Sequence, residues 1–275
     1  MAIKDILLPL VGKPTRTTME AIEKCVAMAR GLNARVSALA LETDDATPPT
    51  VADVLGATEL VQSEPTARAL LAAFESATTK FSVRCEQVRR RSTIGGMIGE
   101  IAEEARLKDL AVALVKPADS LSEKLVEGLL FQSGRPVLMC PEARADALSV
   151  KFNDIMIAWD HTAPAARAVG DALPLLARAA RVRIVTATDR VTPAQRASGT
   201  ALERHLAAHG ITARFETVEI AGSSTGKVFE AYVEANAVDL LVMGGYRHSR
   251  LNEHIWGGAT ATVINQPPCW VMLSH

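Results

Sequence analysis

The sequence predicts two tandem α/β domains, each a doubly wound parallel sheet of five strands, in the order 3-2-1-4-5, flanked by helices. The first observation is a repeat: IKDILLPLVGKPTRTTMEAIEKCVAMARGLNARVSALAL and FNDIMIAWDHTAPAARAVGDALPLLARAARVRIVTAT both read as apolar strand, polar loop, amphipathic helix and alternating strand. The second is that IGEIAEEARLKDLAVALV parallels VFEAYVEANAVDLLVMGG, with Asp109 matching Asp239. The third is that several strand segments are almost wholly apolar, which is typical of strands buried on both faces of a parallel sheet.

Each half is expected to alternate five strands with four helices. In the first half, the strands are predicted near residues 6–10, 35–42, 83–90, 109–115 and 136–140. In the second half, they are predicted near 154–159, 181–188, 213–220, 239–244 and 269–273. The helices predicted over 17–32 and 163–180 carry apolar residues at three-to-four spacing, and each half closes with a Pro-led apolar strand.

The repeat divides the chain into a domain of residues 1–145 and a domain of residues 151–275, with a boundary near 143–150. The first domain carries an extra segment, 43–65, that is rich in acidic residues, Thr and Pro. We interpret it as a long surface excursion, and a lid over a site is the alternative.

Composition excludes several classes of protein. The formal net charge of −1 gives no electrostatic reason to expect nucleic acid or an anionic membrane as a partner, and Arg89, Arg90 and Arg91 are interpreted as a solvated edge. The four cysteines lie far apart without a C-x-x-C pair, which favours a reducing compartment. The N-terminal apolar run is short, and no segment approaches the roughly 20 apolar residues of a membrane helix. We therefore expect a soluble, cytoplasmic protein.

The stretch AGSSTGKV at 221–228 resembles a phosphate-binding P-loop in composition only. Counting back from Gly226 and Lys227, the first glycine of that motif falls at Ala221, and the position of the Mg²⁺-binding hydroxyl is Val228. We interpret Ser223, Ser224 and Thr225 as caps of the helix that follows.

A ligand is expected where the strand order of a doubly wound sheet reverses, at the carboxyl ends of the first and fourth strands. In the second domain, AWDHT places Asp160 at one strand end, and MGGYRHSRLNEHIWGGATATV places glycines at the other strand end and at the next helix start. Glycines there allow phosphate oxygens to approach backbone amides. The first domain has Val11 in place of the acid, so its ligand site is expected to be degenerate. Asp160 is equally well interpreted as a helix cap.

Both halves resemble the universal stress protein (UspA-like) family, and the chain resembles a tandem member. The ATP-binding members of that family carry G-x2-G-x9-G-[ST] after the fourth strand and an Asp after the first. Gly244 and Gly257 match the first and third glycines, and Asp160 matches the acid that contacts the adenosine end. Arg247 replaces the second glycine and Gly258 the terminal hydroxyl residue, with Thr260 close by.

This resemblance implies a stress-response protein whose second domain binds ATP with Mg²⁺. The residues expected to bind the nucleotide are Asp160, Gly244, Gly245, Arg247, His248, Gly257, Gly258 and Thr260. Arg247 either blocks the loop or grips phosphate, since a guanidinium binds phosphate bidentately. The alternative function is a scaffold or small-ligand binder without nucleotide. No enzymatic activity is expected, although slow ATP hydrolysis stays open.

The resemblance also implies an intrachain pseudo-dimer, in which the fifth strands 137–140 and 269–273 pair, with a homodimer as a further option. No metal site is expected, because His205 and His209, although spaced i, i+4, lack a third ligand nearby.

Overall fold

The computed structural model describes residues 2–43, 62–93, 95–142, 150–245 and 258–275. Residues 3–150 and residues 151–275 form two compact units, and within each unit five strands pair in parallel. Of the predicted excursion, residues 44–61 lie outside the described residues. Its two ends meet, because the amide of Thr43 donates to the carbonyl of Gln62 at 3.0 Å and the amide of Gln62 donates to Oγ1 of Thr43 at 2.9 Å.

The first unit has the strand order β3-β2-β1-β4-β5, and every adjacent pair is parallel. Its strands are β1 (Asp5–Leu10), β2 (Arg35–Thr43), β3 (Cys85–Ser92), β4 (Leu110–Val115) and β5 (Val137–Pro141). Its described helices are α1 (Arg16–Leu32), α2 (Glu64–Phe81), α3 (Met97–Ala105) and α4 (Ser120–Gln132).

The second unit repeats this arrangement as β8-β7-β6-β9-β10, again with parallel neighbours. Its strands are β6 (Asp154–Ala158), β7 (Arg181–Ala187), β8 (Ala213–Val218), β9 (Leu240–Gly244) and β10 (Trp270–Ser274). Its described helices are α5 (Ala163–Leu176), α6 (Pro193–Ala208), α7 (Thr225–Asn236) and α8 (Gly258–Asn265). The predicted fold class and the order 3-2-1-4-5 are confirmed in both units.

The central strands are buried as their apolar sequences predicted. Every residue of β4 is buried, and so are the residues of β1 after Asp5. The edge strand β3, by contrast, is exposed almost throughout, which agrees with its run of arginines. The interior therefore lies along β1 and β4 and along their counterparts β6 and β9.

Helix α5 is shorter than the predicted 163–180. It ends at Leu176, with Pro174 inside its last turn. The next residues form tighter turns, in which Arg178 donates to Leu175 and Ala179 donates to Leu176.

The matching aspartates Asp109 and Asp239 perform the same structural task in the two units. Oδ2 of Asp109 accepts from the amides of Lys4 at 2.7 Å and of Asp5 at 3.0 Å. Oδ2 of Asp239 accepts from the amides of Asn153 at 2.8 Å and of Asp154 at 2.9 Å. Each aspartate therefore ties the start of the fourth strand to the start of the first. This pairing fixes the register of the two strands whose far ends form the predicted ligand site.

Among the described residues, no helix combines the length and the apolar character needed to cross a membrane. The expected pairing of the two fifth strands, the homodimer and the cytoplasmic location stay predictions.

Candidate functional site

A cleft of about 630 Å³ lies at the carboxyl ends of β6 and β9 in the second unit. Its described lining comes from the ends of β6, β7 and β9 and from the first turns of α5, α6, α7 and α8. Because helix N-termini carry unpaired amides and a partial positive charge, four such turns around one cleft favour an anionic ligand. This is the edge of the sheet where the sequence predicted a site.

Asp160 lies two residues before the N-cap residue of α5. Its Oδ1 accepts from the amide of Thr162 at 3.0 Å and from Oγ1 of Thr162 at 2.6 Å. Thr162 is the N-cap residue of α5, and its Oγ1 accepts from the amide of Ala165. Asp160 therefore holds the cap in place rather than capping the helix itself, and it also lines the cleft.

Thr260 supplies a hydroxyl group in the first turn of α8. The residue is only 7% exposed and lines the cleft. None of the hydrogen bonds between described residues involves this hydroxyl, whereas Oγ1 of Thr262, on the same helix, donates to the carbonyl of Gly258 at 2.7 Å. A hydroxyl in the lining of the cleft can donate to or accept from a ligand there.

Gly244 ends β9 against the N-terminus of α5. A Cβ atom at this position would lie 2.5 Å from the backbone nitrogen of Ala165 and 2.9 Å from Cβ of Pro164. In the first unit, Leu114 occupies the corresponding position. The packing of α5 therefore requires this glycine, whether or not a ligand approaches it.

Two aromatic residues that line the cleft, Trp159 and Phe229, were not predicted from the sequence as site residues. The indole of Trp159, 8% exposed, donates from Nε1 to Oγ of Ser198 at 2.9 Å, and Oγ1 of Thr186 donates to the carbonyl of Trp159 at 2.6 Å. Phe229 is the second of these aromatic residues in the lining. Trp159 could have been found from its position beside Asp160. Ser198 and Phe229 come from α6 and α7 and carry no recognisable motif.

Five of the predicted site residues come together around the cleft: Asp160, Gly244, Gly245, Gly258 and Thr260. Arg247, His248 and Gly257 lie outside the described residues, and their roles stay predictions. The stretch 221–228 also contributes, because Thr225 lines the cleft. Of the three expected caps, Ser224 is the N-cap of α7, with its side chain accepting from the amide of Lys227, and Thr225 is already the first helical residue.

The first unit fills the corresponding edge with its own side chains. Gln62 is 2% exposed, and its Nε2 donates to the carbonyl of Leu10 at 2.9 Å while its Oε1 accepts from the amide of Gly12 at 3.3 Å. Beside β5, the buried carboxylate of Glu142 accepts from Oγ1 of Thr18 at 3.0 Å. Gln62 therefore occupies the end of β1, the position where the second unit has a cleft.

The described part of the chain contains no cluster of three His, Cys, Asp or Glu residues able to hold a metal ion. The rings of His205 and His209 instead pack edge to face, with centroids 5.0 Å apart.

The family and fold are identified by comparison with known proteins. The model of the universal stress protein family matches residues 151–275. A universal stress protein from Archaeoglobus fulgidus superposes with a TM-score of 0.73 at 16% identity, covering 98% of this chain and 95% of that one. A functionally unknown protein from Pseudomonas aeruginosa gives 0.61 at 14% identity, covering 99% and 92% of the two chains. No curated protein sequence matches the chain.

A third solved structure, the cytoplasmic domain of a prokaryotic cation chloride cotransporter, superposes with a TM-score of 0.54 at 12% identity, covering 98% of this chain and 95% of that one. At these identities the likeness shows the fold alone, and it extends over both units. The chain therefore has a tandem universal stress protein fold, and its second domain, residues 151–275, belongs to the universal stress protein family.

Proposed function

We propose that the second domain binds an adenine nucleotide, ATP with Mg²⁺, and that the protein acts in a stress response as a nucleotide-dependent switch. The observation that carries this proposal is the position of Thr260, a hydroxyl-bearing residue that lines the cleft in the first turn of α8. A hydroxyl at a helix N-terminus suits a phosphoryl oxygen.

The rest of the cleft supports the same ligand class. Its volume of about 630 Å³ falls within the roughly 300–1,000 Å³ of small-molecule sites. Trp159 and Phe229 offer apolar surface to a flat ring system, while Asp160 keeps Oδ2 for a hydroxyl or amino group.

Calorimetric titration of ATP with Mg²⁺ into the full chain tests the proposal. Thr260→Val removes the hydroxyl at nearly constant volume, and we expect the affinity for ATP to fall about tenfold. Thr262→Val is the matched control, because that hydroxyl already bonds within its own helix. Absence of heat with the unmodified protein, together with an unchanged melting temperature in ATP, would rule out nucleotide binding.

The two interpretations of Arg247 are separable by one substitution. If its side chain blocks the loop, Arg247→Gly tightens ATP binding, since the family's glycine permits close backbone approach. If the guanidinium grips phosphate, the same change weakens ATP binding.

We propose binding rather than turnover as the working activity. Phosphate or AMP release from ATP above the buffer rate would show an enzyme instead.

A scaffold role is favoured for the first domain by a specific observation. The side chain of Gln62 occupies the end of β1 with both of its polar ends bonded. We infer that this domain contributes through structure or protein interaction and not through a nucleotide. One equivalent of ATP bound per chain, with an affinity that falls in Thr260→Val, would support binding in the second domain alone. Binding of a second equivalent of ATP per chain would contradict this division.

A further inference from the structure

Gln195 belongs both to the cap of α6 and to the wall of the cleft. Its Oε1 accepts from the amide of Thr192 at 2.9 Å and from Oγ1 of Thr192 at 3.1 Å, which completes the capping box of the helix. The same residue lines the cleft. Because a carboxamide is planar and its oxygen is turned towards the cap, both of its N–H donors are turned away from Thr192. The cap therefore fixes the orientation of a donor group in the cleft wall.

Ser198 lies one turn further along α6, on the same face of the helix as Gln195. It is buried, and its Oγ accepts from Nε1 of Trp159 at 2.9 Å. Trp159 lines the cleft with both of these residues, and Asp160 follows it directly in the chain. The carboxamide of Gln195, the indole of Trp159 and the carboxylate of Asp160 therefore lie in one part of the cleft.

This part of the cleft lies across β6 from Thr260. In the sheet order, β6 stands between β7 and β9. Helix α6 follows β7, whereas α8, which carries Thr260, follows β9. A ligand whose phosphoryl oxygens reach Thr260 therefore places its ring system, at its other end, beside Gln195.

We propose that Gln195 is a specificity-determining residue of the cleft, whose carboxamide donates a hydrogen bond to a ring nitrogen of the bound base. The inference rests on the proposed function, because it assigns the base end of the same site. The side-chain donors of its neighbours are already engaged: Nε1 of Trp159 donates to Ser198, and Oγ1 of Thr186 donates to the carbonyl of Trp159. A donor whose own oxygen is occupied selects ring nitrogens, which accept, over exocyclic amino groups, which donate.

Gln195→Glu tests this contact without removing the cap. Glu also closes a capping box at this position, so the variant keeps an acceptor for Thr192 and replaces the donor group by an oxygen that only accepts. Adenosine is the probe, because it carries the base without the phosphate charges. In calorimetric titrations with the full chain, we expect the affinity for adenosine to fall about tenfold, with no loss in melting temperature.

Gln266→Glu is the matched control. It adds the same charge to the second unit at an exposed residue that does not line the described cleft. Its affinity for adenosine should equal that of the parent protein.

Gln195→Ala removes the cap and the donor together. We expect the melting temperature to fall by a few degrees and the affinity for adenosine to fall as far as in Gln195→Glu. If Gln195 only caps α6, Gln195→Ala lowers the melting temperature while Gln195→Glu binds adenosine as the parent does. That result would overturn the inference.

Adenosine analogues with carbon in place of the ring nitrogen N1, N3 or N7 identify the acceptor. One of them should bind the parent protein about tenfold more weakly than adenosine does, and should bind Gln195→Glu with no further loss, because the contact is already absent. A further tenfold loss in the variant with every analogue would contradict a contact to a ring nitrogen.

Titration of ATP with Mg²⁺ into the same variants distinguishes failure of this inference from failure of the proposed function. Adenosine binding that depends on Gln195, without ATP binding, supports the inference and contradicts the ATP proposal. ATP binding of equal affinity in the parent and both Gln195 variants overturns the inference and leaves the proposed function standing. Absence of binding by adenosine and by ATP overturns both.

Discussion

Gly244 matches the first glycine of the family motif, and the packing around it by itself requires a glycine. The N-terminus of α5 fills the space where its side chain would stand, with the backbone nitrogen of Ala165 2.5 Å from an added Cβ. Backbone atoms of a capped helix cannot move aside as a flexible side chain can. The glycine is therefore required by the fold even before any ligand is considered.

Substitution of Gly244 should therefore destabilise the second domain. We expect Gly244→Ala to lower the free energy of unfolding by about 2 kcal/mol, the usual cost of overpacking, measured by urea denaturation. Gly170→Ala in α5 is the control, because no atom lies within 4 Å of a Cβ at Gly170. It should raise stability by about 0.5–1 kcal/mol. Equal effects of the two substitutions would contradict the packing interpretation.

Glu142 is a buried acidic residue of the first domain. Burial raises the pKa of its carboxyl group, and Lys116 and the hydroxyls of Thr17 and Thr18 offset this only in part. Because the folded protein binds this proton more tightly than the unfolded chain, the group's contribution to stability is fully present below the unfolded pKa. It is lost as the pH rises through the folded pKa.

Glu142→Gln should remove this pH dependence. At about pH 7 the variant is expected to be more stable than the parent, because no buried carboxylate remains, and at about pH 4 the two should differ little. Urea unfolding at both pH values measures the difference. Glu103→Gln, at a side chain that is 66% exposed, is the control and should show no such trend. A stability difference that is the same at both pH values would refute the interpretation.

At the scale of elements, the placement of the first and fourth strands depends on one aspartate in each unit. Asp239 accepts two amide hydrogen bonds from the start of β6 while its own amide donates to the carbonyl of Asp154 at 2.9 Å. Asp109 repeats this arrangement with Asp5. Since β6 and β9 bear the cleft at their other ends, the aspartate aligns the site from the opposite edge of the sheet.

Asp239→Ala should lower the stability of the second domain by about 2–3 kcal/mol, because two charge-assisted hydrogen bonds are lost. Asp171→Ala breaks only the i, i+4 ion pair with Arg167 on α5 and should cost about 0.5 kcal/mol or less. Chemical denaturation of the full chain measures both changes. A loss of stability in Asp239→Ala no larger than that in Asp171→Ala would show that the hydrogen bonds of Asp239 contribute little.

At the scale of the whole molecule, two units of the same fold are expected to respond differently to one ligand. A ligand that binds only the native state stabilises it by about 2.7 kcal/mol at a concentration one hundred times its Kd. ATP with Mg²⁺ should therefore slow amide hydrogen exchange in α5, α7 and α8 of the second unit and leave α1 and α4 of the first unchanged. Equal protection of both units would show that the first domain binds the nucleotide too.

Much of the fold was predictable because its signals are local in sequence. Apolar runs predicted central strands such as β4, and the repeat predicted the strand order of both domains. The errors lie at element ends: α5 stops at Leu176 rather than at 180, and the third strand begins at Cys85 rather than at 83. Element ends depend on individual hydrogen bonds, which periodicity does not encode.

By itself, the sequence predicted the α/β fold of two tandem units, the edge of the sheet at which a ligand site is expected, and the positions of Asp160 and Gly244 at that edge. Only the tertiary structure brought Trp159, Ser198 and Phe229 to one cleft, placed Thr260 in its lining, and placed Gln62 at the end of β1. The physical reason is that a strand pattern fixes which edge each loop reaches. Which side chains then meet depends on helices that lie far apart in the sequence.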